Sequence, residues 1–292
     1  MPPYEAAADL KAHERREPPP GQGPDLEGKE KQKADEEESL NANVTYEVVR
    51  REGEKELERS PVGLAWSGLA AGLSMGFILV AEGVLSSHLP DTAWRPLVTK
   101  LGYSVGFLIV ILGSQQLYTE NTLTPIVPLL TRKSVETLGR VLRLWGAVLV
   151  ANLVGTIIFA WVLARTTLFD PNVHDAFLAI SREALRGDFA TTLIRAVFAG
   201  WLIALMVWML PAAQREQVPV IVGMTYLVGV GGLAHVIAGS TDVAYLVAHG
   251  AATWSDYFVR FVAPALLGNT LGGVTLVAAL NHAQVAGSKS PR

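Results

Sequence analysis

The sequence predicts an all-α membrane protein with six transmembrane helices, arranged as an inverted 3+3 repeat in which helices two and five are broken. Three observations lead there: charge is crowded into one end of the chain, six uncharged stretches of membrane length follow, and short polar motifs recur at a fixed spacing. Of the 292 residues, half are hydrophobic and 17% are charged. Residues 1–60 hold 10 Lys or Arg and 16 Asp or Glu, and so carry 26 of the 51 charges. A soluble domain would be roughly a quarter charged; the rest of this chain is far below that.

Residues 1–43 combine Pro18, Pro19, Pro20, Gly21 and Gly23 with the acidic run Asp35 to Glu38. Such a segment buries too little apolar surface to offset chain entropy, which predicts a disordered acidic tail. It lacks the basic start and apolar middle of a signal peptide. Residues 44–60 alternate Val44, Val48 and Val49 with dense mixed charge, the pattern of a cytoplasmic surface helix that serves as a lid, a lipid-surface contact or a solvated spacer.

Beyond Ser60 the uncharged stretches run Ser60 to Ala81, Leu101 to Thr119, Leu144 to Ala164, Ala196 to Gln214, Gln217 to Thr241 and Phe261 to Ser288. Each is long enough, or nearly so, for the roughly 20 residues that cross the bilayer core. Backbone groups in lipid must pair within the segment, so the stretches read as helices, forming a channel domain over residues 61–283 with a short cytoplasmic tail at 284–292. Eleven Lys or Arg on one side of these spans against six on the other place both termini in the cytoplasm. Within the connection Arg165 to Ala190, Phe177, Leu178, Ile180 and Leu185 recur at helical spacing and predict an amphipathic helix on the outer surface.

Two spans are interrupted by polar residues. The second reaches Leu117-Tyr118-Thr119-Glu120-Asn121-Thr122 before Pro125 and Pro128, and the fifth passes Gly229, Gly231 and Gly232 before His235. Asn152-Leu153-Val154-Gly155 recurs as Asn269-Thr270-Leu271-Gly272, 117 residues later, and the same offset carries Thr119 to Val236 inside the second break. An odd number of helices per unit inverts one half relative to the other, and paired broken helices place a permeation site at the midplane.

His235 is the first candidate for chemistry there. An ionisable group inside a span faces a cavity or a partner, and imidazole suits proton donation to a passing anion; the structural alternative is a neutral histidine bonded between helices. Arg195, opening the fourth span, either attracts anions or snorkels to headgroups. Glu120 has Arg195 and His235 as possible partners, and can instead be protonated or repel anions. Thr119, Asn121 and Thr122 offer neutral donors or cap a half-helix, while Asn152, Asn269, Gly272 and Gly273 fit helix packing.

The chain has no cysteine, which excludes disulfides, thiolate metal sites and cysteine nucleophiles. Soluble-enzyme motifs such as H-E-x-x-H, the P-loop and G-x-S-x-G are missing. No enzymatic activity, metal, cofactor or nucleic-acid partner is expected.

These residues resemble the formate/nitrite transporter family over residues 45–283. Leu117 to Thr122 is similar to that family's Leu-Phe-Thr-Gly-Asn-Thr loop, Arg195 to Met209 to its fourth-helix run, Gly232-Leu-Ala-His235 to its Gly-Phe-Glu-His, and Leu267 to Gly273 to its Leu-Gly-Asn-Ile-Ile-Gly-Gly. The resemblance implies an aquaporin-like protomer in the inner membrane, a homopentamer, and one pore per protomer for small monovalent anions such as formate or nitrite. It gives Thr119 a place at the constriction, His235 the role of pore histidine and Arg195 that of the outer cation. Glu120, Ala234, Gly200 and Gly239 depart from the family pattern, as in its divergent branch. Two alternatives follow: a channel that Glu120 turns toward neutral or cationic solutes, and a non-conducting membrane scaffold or sensor.

Overall fold

The computed structural model describes residues 42–213 and 215–287, and every regular element among them is helical. The acidic tail expected over 1–43 lies outside the described residues except for its last two, which begin the first helix; residues 288–292 also lie outside. Helix α1 (Ala42–Glu58) is the expected surface helix. Its polar side is laced by ion pairs of Arg50 with Glu47 and Glu54 and of Arg51 with Glu47, one helical turn apart. Its other side buries Tyr46, Val49 and Leu57 against the bundle, so it is docked rather than a free spacer.

Ser60 caps α2 (Pro61–Met75) by accepting from the Gly63 N–H, and Pro61 fits the first turn, whose amide would lack a partner anyway. α2 continues through Gly76 into α3 (Phe77–His88), giving a 28-residue apolar helix, Pro61–His88. A second, Arg95–Leu112, is assembled from α4 (Arg95–Thr99), a 3₁₀ turn at Lys100–Gly102 and α5 (Tyr103–Leu112). It stops at Leu112, earlier than hydropathy suggested, and the chain runs without helix to a 3₁₀ turn at Glu120–Thr122 and then α6 (Ile126–Arg132). The long α7 (Val135–Arg165), capped by Ser134, and α9 (Phe189–Met209), capped by Asp188, follow with α8 (Pro171–Ala184) between them. α10 (Gln217–Val230) and α11 (Val236–Ala248) are two short apolar helices with a break between. The last long helix runs from Asp256 through α12 (Ala263–Leu271) to α13 (Leu280–Gly287), with π-helical turns at Asp256–Val262 and Gly272–Ala279.

Among the described residues five helices are thus long and apolar enough to cross a membrane, and Val150, Val162, Ile194, Phe198 and Val259 lie exposed on their flanks, where a soluble protein would carry charge. α8 forms where the amphipathic helix was expected. Its apolar face, however, buries Val173 and Phe177 inside the protein, with the Phe177 ring against Gly83 of α3 and edge-on to Tyr245 of α11.

Two close helix crossings position the site. α2 lies on α7 and α9 on α12, and at each crossing a glycine meets an asparagine backbone: Gly72 faces Asn152, and Gly200 faces Asn269. A Cβ on either glycine would overlap the asparagine carbonyl. At the other end of the chain, the Tyr46 hydroxyl lies 3.0 Å from Thr131 Oγ1 and 2.6 Å from His282 Nδ1, tying α1, α6 and α13 together.

Gly72→Ala and Gly200→Ala are each expected to destabilise the protein by about 1–3 kcal/mol, the usual cost of overpacking. A fall in the thermal midpoint of the detergent-solubilised protein checks this; an unchanged midpoint contradicts the close crossing.

Candidate functional site

A chain that leaves helical geometry inside a membrane must pair its freed backbone groups elsewhere. In the segment after α5, Asn152 does this. Its Oδ1 accepts from the Tyr118 N–H at 2.9 Å, and its Nδ2 donates to the carbonyls of Gly68 at 2.7 Å and Gln116 at 2.9 Å. The Trp145 indole donates to the Asn121 carbonyl at 2.7 Å, Asn121 Nδ2 donates to Gln116 Oε1 and the Leu117 carbonyl, and the Thr122 hydroxyl donates to the Thr119 carbonyl. Gly273 lies directly against the Thr122 side chain, and Gly272 against the Val197 carbonyl, with no room for a larger residue at either position.

The segment before α11 is held in the same way. Asn269 Oδ1 accepts from the Val236 N–H at 2.8 Å, and its Nδ2 donates to the carbonyls of Ala196 at 2.8 Å and Ala234 at 2.9 Å. Gly232, at φ 58°, makes the turn out of α10. The two asparagines, expected to serve close helix contact and interhelical hydrogen bonds, stand at the close crossings, and each also clamps a break in a neighbouring helix. The clamped amides, Tyr118 and Val236, are 118 residues apart, one more than the asparagines.

These clamps bring two residues from opposite ends of the sequence together. Thr119 Oγ1 and His235 Nε2 are 2.7 Å apart, with Thr119 fully buried and His235 1% exposed. His235 caps α11, its Nδ1 accepting from the Ala238 N–H at 3.1 Å. Nε2 therefore carries the proton of the neutral ring and donates to the threonine. The Phe107 ring stands edge-on to the imidazole at 5.0 Å.

A cavity opens on either side of this contact. One, of about 250 Å³, reaches His235 and is lined by Lys100, Glu183, Arg186, Arg195 and Asp242 among its polar residues. The other, of about 620 Å³, reaches Glu120 and is lined by Glu52, Lys55, Glu56, Gln116 and Asn121. They share no lining residue. Buried Leu117, Tyr118 and Thr119 lie in the chain between Gln116 and Glu120 and contribute to neither wall.

Arg195 donates to the Arg186 carbonyl at 3.1 Å and points to the His235 cavity. Glu120 pairs with neither Arg195 nor His235; it belongs to the other cavity, and its Oε1 has no hydrogen-bond partner among the described residues. Partial desolvation where α1 faces this cavity pushes the carboxyls of Glu52 and Glu56 above the usual range.

Three ionisable residues beside the site were not read as part of it from the sequence. Glu82, Lys100 and Asp242 marked where uncharged stretches ended, and Lys100 also counted among the six cations of the outer side. The signal was their spacing: each stands within one or two turns of an apolar run, at a depth where charge is costly.

A bundle of apolar helices with two interrupted segments meeting between two polar cavities defines a membrane transport protein. The formate/nitrite transporter family matches residues 43–283. The inner membrane protein YfdC of Escherichia coli (strain K12) is 41% identical over 249 residues, covering 85% of this chain and 80% of that protein. The formate channel BtFdhC of Bacillus thuringiensis is 28% identical over 242 residues, covering 79% and 90%. Among solved structures, a pentameric formate channel with formate bound superposes with a TM-score of 0.63 at 21% identity, covering 77% of this chain and 97% of that one. An ion channel of the same family gives a TM-score of 0.67 at 20% identity, covering 82% and 98%. The chain belongs to the formate/nitrite transporter family. It is an integral membrane channel or transporter for small anions, and the family is one of transporters rather than enzymes.

Replacing Asn152 or Asn269 by Ala strands one buried N–H and two carbonyls, and is expected to cost about 1–3 kcal/mol. Thermal unfolding in detergent measures the loss. Substitutions as stable as the parent would show that the breaks do not depend on the clamps.

Proposed function

We propose that the chain conducts small monovalent weak-acid anions of the size of formate or nitrite, through one pore per protomer that passes between Thr119 and His235. The observation that carries this reading is the 2.7 Å contact between Thr119 and His235, set between two cavities that lead to opposite ends of the bundle. An anion cannot shed its water between Phe107, Leu117 and Val236 without a penalty of several kcal/mol. As a neutral acid it avoids most of that cost. Arg195 attracts the anion into the cavity, and His235, with Thr119 as its hydrogen-bond partner, supplies or relays the proton.

In this reading the chain crosses the membrane six times, as two three-helix halves inserted in opposite directions, with both termini cytoplasmic. The 117-residue recurrence of Asn152 at Asn269 and the matching chemistry of their clamps support the inverted repeat. The pentamer of the structurally similar formate channel supports a homopentamer, and the name of the Escherichia coli relative supports the inner membrane.

A second reading is favoured by one observation. Glu52, Glu56 and Glu120 outnumber Lys55 around the cavity that holds Glu120, which suits a neutral or cationic solute better than an anion.

Formate and nitrite flux into proteoliposomes decides between them. His235→Asn is expected to lower anion flux by at least about tenfold and flatten its pH dependence; full flux with the parent's pH profile would remove the histidine from the mechanism. Glu120→Gly is expected to leave anion flux within about twofold of the parent under the first reading, whereas a large rise in anion flux, with loss of ammonium flux, would establish the second.

A further inference from the structure

The wall that α11 presents to the His235 cavity is a single stripe: His235, Gly239 and Asp242, at positions i, i+4 and i+7. Two helical turns, about 10 Å, separate the histidine from the aspartate. Between them the Phe261 ring, which also lines the cavity, packs directly on Gly239. Asp242 is half-buried and lines the cavity; no hydrogen bond or ion pair joins its carboxylate to a described residue, although Lys100 acts on it electrostatically from within the same cavity.

The charged groups around it come from four other elements. Lys100 stands at the start of the 3₁₀ turn, Glu183 on α8, Arg186 just beyond α8 and Arg195 on α9, all lining the same cavity. Behind Lys100, on α3, lies Glu82. Lys100 Nζ donates to Glu82 Oε2 at 2.7 Å; the lysine side chain is 19% exposed and Glu82 is 1% exposed. The second carboxylate oxygen, Oε1, has no hydrogen-bond partner among the described residues. A lysine and an aspartate lining one cavity would ordinarily pair with each other. Here the lysine is held from behind, and Asp242 is left open to the cavity. With the buried Glu82 counted beside the cavity's own Glu183 and Asp242, three acidic groups offset Lys100, Arg186 and Arg195, and taking up one proton leaves a net positive charge.

We propose that Asp242 is the proton-loading carboxyl of this cavity, and that the buried Glu82 is a positioning residue that keeps Lys100 from locking it. Protonated Asp242 removes the negative charge that opposes Arg195, and a weak-acid anion enters. The aspartic acid O–H bond then breaks as an O–H bond forms on the anion, leaving a neutral acid and an Asp242 carboxylate. The carboxylate recovers its proton from hydronium reaching the cavity from solution, which leaves water, and one proton moves with each anion. His235, in contact with Thr119, then acts as the relay for the proton that Asp242 has loaded, the second of the two roles given to it above. This inference rests on the anion reading above, and adds to it the group that loads the proton.

The test is formate flux in proteoliposomes of the full-length protein, measured between pH 5 and pH 8. The parent is expected to conduct faster as pH falls. Asp242→Asn is expected to lower flux near neutral pH by at least about tenfold and to follow only the formic acid already present in solution. Asp242→Glu, which keeps a carboxyl in the cavity, is expected to restore the parent's slope. Glu82→Gln frees Lys100 to pair with Asp242, and is expected to move the pH midpoint of flux downward. Equal flux and equal pH profiles for the Asn and Glu variants, at whatever level, would overturn the role of Asp242. A parent that carries neither formate nor nitrite at any pH would overturn the anion reading and this inference together; a parent that conducts beside an unaltered Asp242→Asn would overturn this inference alone.

Discussion

Every feature of the site depends on one constraint: backbone N–H and C=O groups released inside a membrane have no water to pair with. Two helices here are interrupted within the bundle, and at each interruption an asparagine amide supplies one acceptor and one donor hydrogen to the gap, its second hydrogen going to a carbonyl of the helix it crosses. The amide is well suited to this, since it offers both kinds of group without a charge. With the amides of Tyr118 and Val236 and the carbonyls of Gln116 and Ala234 satisfied, Thr119 and His235 can be held face to face. The clamp in turn depends on glycine. At Gly72 and Gly200, and at Gly155 and Gly272 on the facing helices, the lack of a side chain lets the helices come close enough to place each asparagine where it reaches both its own crossing and the gap.

Much of this was legible in the chain before any coordinates. Long runs without charge mark segments in lipid because a charge there is costly, and that cost acts residue by residue. Helix ends were less legible, because a helix extends past the hydrocarbon: α7 begins nine residues before the uncharged run at Leu144, and Arg143 uses the extra turns to donate to the Leu57 carbonyl at 2.8 Å. The polar interruptions around Thr119 and His235 could be found as departures from hydropathy. The role of Asn152 and Asn269 could not, since packing between helices and clamping a gap call for the same residue and differ only in what lies opposite.

The ion pair of Lys100 with Glu82 was hidden for a related reason. Eighteen residues separate the partners in sequence, and each stands at the edge of an apolar run, where a charge ordinarily reaches for the interface. Only the return of the chain between α3 and α4 turns both inward. Asp242 is similar, since its place on the cavity wall follows from its register with His235 along α11, which becomes meaningful once the histidine is known to cap that helix. Patterns set by local cost can be read in one dimension; those set by which faces meet need the fold.

The Tyr46 hydroxyl touches both Thr131 and His282, so the first described helix is completed by residues from the far end of the chain. During synthesis that seat does not exist until the final helix has left the ribosome and been inserted. The first described helix is made before every other described helix, yet Tyr46 gains the last of its partners only when His282 arrives. The fold is closed by its two ends, and its assembly has a fixed final step.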